Sequence, residues 1–169
     1  MNKTIKYIAI VLSLFICVFM VGCTGNDLLD TSSMPNHELY DTVNLDKLSF
    51  TPIEIAQVPP SSDAVFSAKE GNVFLIVKFD VKNISEEEVI FSSLGMFTAY
   101  VDDEQIDLSI KAYAALNNVV QLDGAINPNE TKTGHFIIEA PEDWQELKLI
   151  VKSSVLSSNR ALFAFYQQA

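Results

Sequence analysis

The residues able to do chemistry are few and scattered. His37 and His135 lie far apart with no cysteine near His135 and only Cys17 and Cys23 upstream of His37, whereas a zinc centre gathers several His or Cys ligands at short, regular spacing. Both read as solvated side chains, His135 pointing outward from the start of a strand. Two carboxylate runs, Glu86-Glu87-Glu88 and Asp102-Asp103-Glu104, offer more. Paired carboxylates move protons, and hard cations such as calcium take oxygen ligands. The spacing of Asp102-Asp103-Glu104 matches no EF-hand loop, and both runs fall at turns, where carboxylates are ordinarily solvated. No Gly-x-Ser-x-Gly occurs, and six glycines in 169 residues form no phosphate-cradling loop. The expectation is a chain with no catalytic residues, no metal and no cofactor.

One thiol stands apart. Lys3 and Lys6 open the chain, residues 7–21 run apolar with Ser13 as the interruption, and Gly22 and Cys23 follow. A basic start, an apolar middle and a small residue before the cut form a secretory signal. The apolar run falls short of the roughly 20 residues that span a bilayer as a helix. Met20-Val21-Gly22-Cys23 resembles the bacterial lipobox, with Met20 where leucine is usual. The resemblance implies cleavage between Gly22 and Cys23 and a diacylglyceryl group, with palmitate-like chains, on the Cys23 sulfur. Two acyl chains anchor stably, since each buried methylene contributes about 0.8 kcal/mol. Cys17 leaves with the leader, so Cys23 is the mature chain's lone cysteine and no intrachain disulfide can form. The expected location is extracytoplasmic, on the cell membrane.

Loss of Lys3 and Lys6 leaves nine basic against 22 acidic residues, a net charge of −13. So anionic a surface excludes phosphate-backbone binding, which needs clustered Lys and Arg. It also opposes flat adsorption onto anionic lipid. Nucleic acid is not a partner.

The elements that carry these residues follow a tether. Residues 23–46 are rich in Asp, Asn, Ser and Thr, contain Pro35 and show no sustained apolar period; they read as a lipidated cysteine and flexible spacer, with Leu28-Leu29 or Leu39-Tyr40 as places where part of it could pack. Residues 47–169 form the domain. In residues 73–82, Val73, Leu75, Val77, Phe79 and Val81 share one face and Lys78, Asp80 and Lys82 the other, the period of a half-buried strand. Phe74 and Ile76 make its first half apolar on both faces, as in a strand covered twice. Similar alternation marks residues 97–102, 135–139 and 147–152. Weaker strands are expected at 50–58, 88–91, 105–108 and 161–166, with an edge or a bulge at Pro52, which has no N–H to donate. Residues 109–118 are the one place for a short helix. At Asn127-Pro128-Asn129, proline presets the turn and Asn129 accepts a left-handed backbone. Seven to nine short strands predict an all-β, immunoglobulin-like β-sandwich.

The run from Gly71 to Asn83 (Gly71-Asn72-Val73-Phe74-Leu75-Ile76-Val77-Lys78-Phe79-Asp80-Val81-Lys82-Asn83) resembles the opening strand of the telokin-like, immunoglobulin-fold domain of unknown function 4352. That family occurs in lipoproteins of Gram-positive bacteria. Residues 97–103 resemble its central strand and acidic turn. Asn127-Pro128-Asn129-Glu130-Thr131-Lys132-Thr133-Gly134 resembles its next turn, with Asn129 where glycine is usual, and 136–141 and 147–151 resemble its closing strands. The resemblance covers residues 48–166. It implies a secreted or lipid-anchored sandwich, related in fold to a mycobacterial secreted antigen, and supplies no catalytic residues.

Function is therefore expected in the loops. Trp144, Tyr113, Asp102, Asp103 and Glu104 are the candidate binding residues, with Tyr100 and Tyr166 as further exposed aromatics. A loop tryptophan anchors partners or folds over the open end of the sandwich as a lid, where its apolar bulk gains by burial. The expected activity is a binding or accessory module that holds membrane lipid through acylated Cys23 and an envelope protein or component through its loops. Alternatives are a solute- or calcium-binding receptor using the acidic turns, and a hydrolase of envelope material built from distant carboxylates.

Overall fold

A computed structural model describes residue 31, residues 33–61 and residues 66–168. The leader, Gly22, Cys23 and the first part of the expected tether lie outside the described residues. Among those described, no helix is long and apolar enough to cross a membrane.

Among the described residues, eleven strands and two short helices make a β-sandwich. The strands are β1 (Asn36–His37), β2 (Val43–Leu45), β3 (Leu48–Val58), β4 (Asn72–Asn83), β5 (Val89–Ser92) and β6 (Phe97–Val101). They continue with β7 (Glu104–Ile106), β8 (Asp123–Ile126), β9 (Thr131–Pro141), β10 (Glu146–Lys152) and β11 (Arg160–Tyr166). Helix α1 is Ser93–Met96 and α2 is Ile110–Ala115. One sheet has the order β1-β11-β10-β6-β7, the other β2-β3-β4-β9, and β5 pairs β8 separately.

Alternation in β4 places Val73, Leu75, Val77, Phe79 and Val81 inward, each 4% exposed or less. They meet the inward side chains of β6, β10 and β11, and Phe79, Phe97 and Phe163 pack edge to face at 5.1 and 5.6 Å between centroids. Such pairs add about 0.5–1.5 kcal/mol beyond their area. The outer face of β4 and β9 is covered too. Phe74, Ile137, Ala68 and Ala112 form a second small core under α2, with Ile76 and Tyr113 at its margin. This is why Phe74 and Ile76 interrupt the polar face of β4.

Residues 36–45 correct the expected tether. Asn36 and His37 pair with Leu162 and Phe163 in parallel, the backbone turns at Tyr40 (φ 73°), and Val43–Leu45 pairs antiparallel with β3. The domain thus starts near Asn36, and the spacer ends there instead of at residue 46. The segment is a hook that runs up one sheet and down the other, closing part of one side of the sandwich. On the opposite side, residues 107–122 cross between the sheets, bridging Leu108 to Ile138 and Gln121 to His135 on β9. Gly134 permits that crossing, because a Cβ there would meet the Leu122 side chain at 2.7 Å and the Val120 carbonyl at 3.0 Å.

A bulge falls beside Pro52 as expected: the β3–β4 register shifts between Pro52 and Glu54. Phe50 and Pro52 face Val81 and Phe79, whereas beyond the bulge Ile55 and Gln57 face Val77 and Leu75. One extra residue has switched which parity points inward. Asn129 takes φ 62° in the turn before β9, as its side chain allows.

Candidate functional site

The acidic turn is built into the fold. Asp102 and Asp103, with φ of 49° and 67°, form the two-residue hairpin between β6 and β7, a turn that needs left-handed residues at both positions. The Asp102 carboxylate accepts from the backbone N–H of Gln145 (3.0 Å) and Glu146 (2.9 Å). Asp103 accepts from Lys148 Nζ at 2.8 Å. Hydrogen bonds from Lys148 to Asp103 and Glu146 hold the ammonium well above its ordinary pKa. Two of the three carboxylates thus dock the hairpin on β10, and Glu104 alone stays free in solvent. In the other acidic run, Glu87 pairs with Lys47.

The remaining candidates separate. His37 leans on the Phe163 ring at 5.8 Å. The Nδ1 of His135 accepts from the Val120 N–H at 3.0 Å, so that ring holds the crossing segment where a freely outward histidine was expected. Tyr113 donates to the His135 carbonyl at 2.7 Å, and burial pushes its phenol above the ordinary range. It anchors the crossing segment and does not offer a free binding loop. Tyr100 is 7% exposed, opposite Lys148. Tyr166 is exposed.

Trp144 is the informative one. It is 4% exposed and belongs to the main core, with its indole N–H donating to Gln57 Oε1 at 3.1 Å. It caps the end of the sandwich as a lid. One edge of the ring reaches the surface in a groove of about 400 Å³ with Leu39, Ile55, Ala56, Gln57, Tyr166 and Gln167. An adjoining depression of about 290 Å³ extends the groove along Glu38 and Ala164–Tyr166.

The groove has a simple origin. The hook pairs with β11 at Leu162 and Phe163 and with β3 from Leu48 to Phe50, and its last backbone bond to β3 runs from the Tyr40 N–H to the Pro52 carbonyl at 2.8 Å. Beyond those points the facing edges of β3 and β11 continue toward Trp144 with no further ladder on that side among the described residues. Its walls are apolar side chains and glutamine amides between two strand edges. No sequence signal marks it, because it follows from where two ladders stop.

No curated relative matches the sequence. Among solved structures the sandwich is similar to a candidate lipoprotein of Bacillus subtilis, ycdA, with TM-score 0.59 and 16% identity over 74% of this chain. The match spans 38% of that longer protein. It is also similar to an uncharacterized β-sandwich protein of Clostridium difficile (TM-score 0.50, 20% identity, 78% of this chain and 95% of that one). A protein of unknown function from Listeria monocytogenes gives TM-score 0.55 at 12% identity, over 76% of this chain and 82% of that one. These likenesses are of fold alone. The family model of the domain of unknown function DUF4352 matches residues 37–161, which takes in strands β2 to β10 and the crossing segment and stops at the start of β11, and the chain belongs to that family.

Proposed function

We propose that this protein is a non-enzymatic recognition module, held outside the cell by lipid on Cys23, that binds its partner in the groove between β3 and β11. The carrying observation is the pair of strand edges beside the Trp144 lid. An extended segment of an envelope protein can add its main chain to such an edge, while alternate side chains enter the pocket. The lining of Leu39, Ile55, Ala56, Trp144 and the glutamines suits an uncharged segment with one apolar anchor. The leader pattern and the lipobox at Cys23 support the anchor, and the chain shares its fold with a candidate lipoprotein.

The test is a photo-crosslinking amino acid placed at exposed Gln57 in living cells, with exposed Lys82 on the outer face of β4 as control. Discrete adducts at Gln57, absent at Lys82 and lost on Ile55→Asp, are expected. Equal labelling at both positions would remove the groove as the site. Mass spectrometry of the purified chain should show a diacylglyceryl group on Cys23; an intact leader or an unmodified cysteine would remove the anchor.

A further inference from the structure

Strand directions sort the turns between the two ends of the sandwich. The turns at residues 46–47, 84–88, 127–130 and 153–159 share one end; the 102–103 hairpin and residues 142–145 share the other. Hydrogen bonds knit the first end. Asp46 accepts from the Ser153 hydroxyl and from Asn159 Nδ2 at 2.9 Å, Ile84 N–H donates to the Lys47 carbonyl at 2.9 Å, and Lys47 pairs with Glu87.

This same end carries an apolar tip. Leu156 is 96% exposed, Leu94 63%, Val155 55% and Ile84 41%. Leu94 and Val155 are joined through Gly95, where a Cβ would stand 2.7 Å from Val155 Cγ2. Soluble surfaces scatter single apolar residues, but a cluster on one projecting loop marks a contact. The Val155-Leu156 loop is not slack, since Ser153 and Asn159 at its base are both bonded to Asp46.

The direction of β1 says what the tip meets. Asn36 lies opposite Leu162 in a parallel pair, so the chain reaches β1 from the end where β11 begins. The twelve residues 24–35 separate Cys23 from that point, and even fully extended they span no more than about 45 Å. The chain therefore enters the domain at the end that carries the tip.

We infer that the tip formed by Leu94, Val155 and Leu156 dips into the bilayer that holds the Cys23 lipid, so that the domain stands on the membrane with the Trp144 groove facing away. This rests on the anchor proposed above. The occupant is the lipid surface itself. The carboxylates at this end, Glu86, Glu87 and Glu88, give it no attraction for anionic headgroups, so insertion is driven by apolar burial and is undiminished in neutral lipid.

The acylated mature chain provides the test, because Cys17 has left with the leader and a new cysteine is then its single free thiol. Exposed Ser154, at the tip, and exposed Asp143, at the far end, are each changed to Cys and labelled with an environment-sensitive fluorophore. The labelled protein is reconstituted in phosphatidylcholine vesicles carrying nitroxide lipid. Quenching at least threefold stronger at residue 154 than at 143, abolished by Leu94→Asp with Leu156→Asp, is expected. Flotation with vesicles together with equal quenching at both sites overturns the inference and leaves the anchor standing. Failure to float, with no lipid found on Cys23 by mass spectrometry, overturns both.

Discussion

Asn83 is the most demanding residue of the fold to replace. Its side chain is fully buried and makes every hydrogen bond it can: Nδ2 donates to the carbonyls of Glu87 (2.7 Å) and Ile126 (2.9 Å), and Oδ1 accepts from Ser85 N–H (2.9 Å) and Oγ (2.8 Å). One amide thus ties the end of β4 to the β5–β8 pair. In Asn83→Ala, water replaces the bonds to Ser85, but the Ile126 carbonyl loses its amide donor inside the protein. The two donations contribute about 1 kcal/mol each, and the void adds about 1 kcal/mol more. Urea unfolding should show a loss of about 3 kcal/mol at unchanged slope. Asn83→Asp sharpens the test. A carboxylate facing two carbonyls has its pKa raised by folding, so its folded form is favoured below the unfolded value of about 3.9 and penalised as pH rises through the folded value. The Asp variant should therefore lose more at pH 7 than at pH 4. A loss below about 1 kcal/mol for Asn83→Ala, or equal losses of the Asp variant at both pH values, would refute the reasoning.

Substitutions at two further positions probe the second core and a turn. Burial alone would raise the Glu139 carboxyl, but Lys111, the Lys69 N–H and Asn72 together hold it below its ordinary 4.5. A carboxyl depressed by folding contributes stability above that value and loses it as pH falls through the folded pKa. Glu139→Gln should cost about 1 kcal/mol at pH 7, with the gap to wild type closing by pH 3 in parallel denaturant titrations. At Asn129, Ala should cost about 1 kcal/mol for its left-handed backbone. Gly should stay within about 0.5 kcal/mol of wild type in thermal melts.

How much of this was legible depended on whether a residue's own type set its role. The long strands were, since β4 and β10 alternate over enough residues for period two to outweigh chance, and Phe74 with Ile76 announced a second cover. The bulge at Pro52 and the turn at Asn129 were legible because backbone chemistry limits what those residues do. β1 and β2 were not. Asn36-His37 has no strand character of its own and becomes a strand only because β11 lies beside it. Tyr100 alternates with the core residues of β6 and so reads as exposed, yet the outer face of that sheet buries it beside Lys148. The acidic turn reads as solvated until β10 presents backbone N–H groups to Asp102. The groove lay beyond sequence reading altogether, since it is defined by pairing that ends.

The bulge at Pro52 has a consequence for how this family can vary. Inward direction in the second half of β3 is fixed by its pairing with β4, in which Pro52 opposite Phe79 is followed by Glu54 opposite Lys78, so Ile53 is an extra residue that the ladder passes over. Deleting it would close the bulge and leave Ile55 opposite Val77 and Gln57 opposite Leu75, still directed at the indole, with no change of residue type along the wall. Relatives of this chain can therefore gain or lose one residue at this point and keep the same pocket wall, the change in length being absorbed where the strand is already irregular.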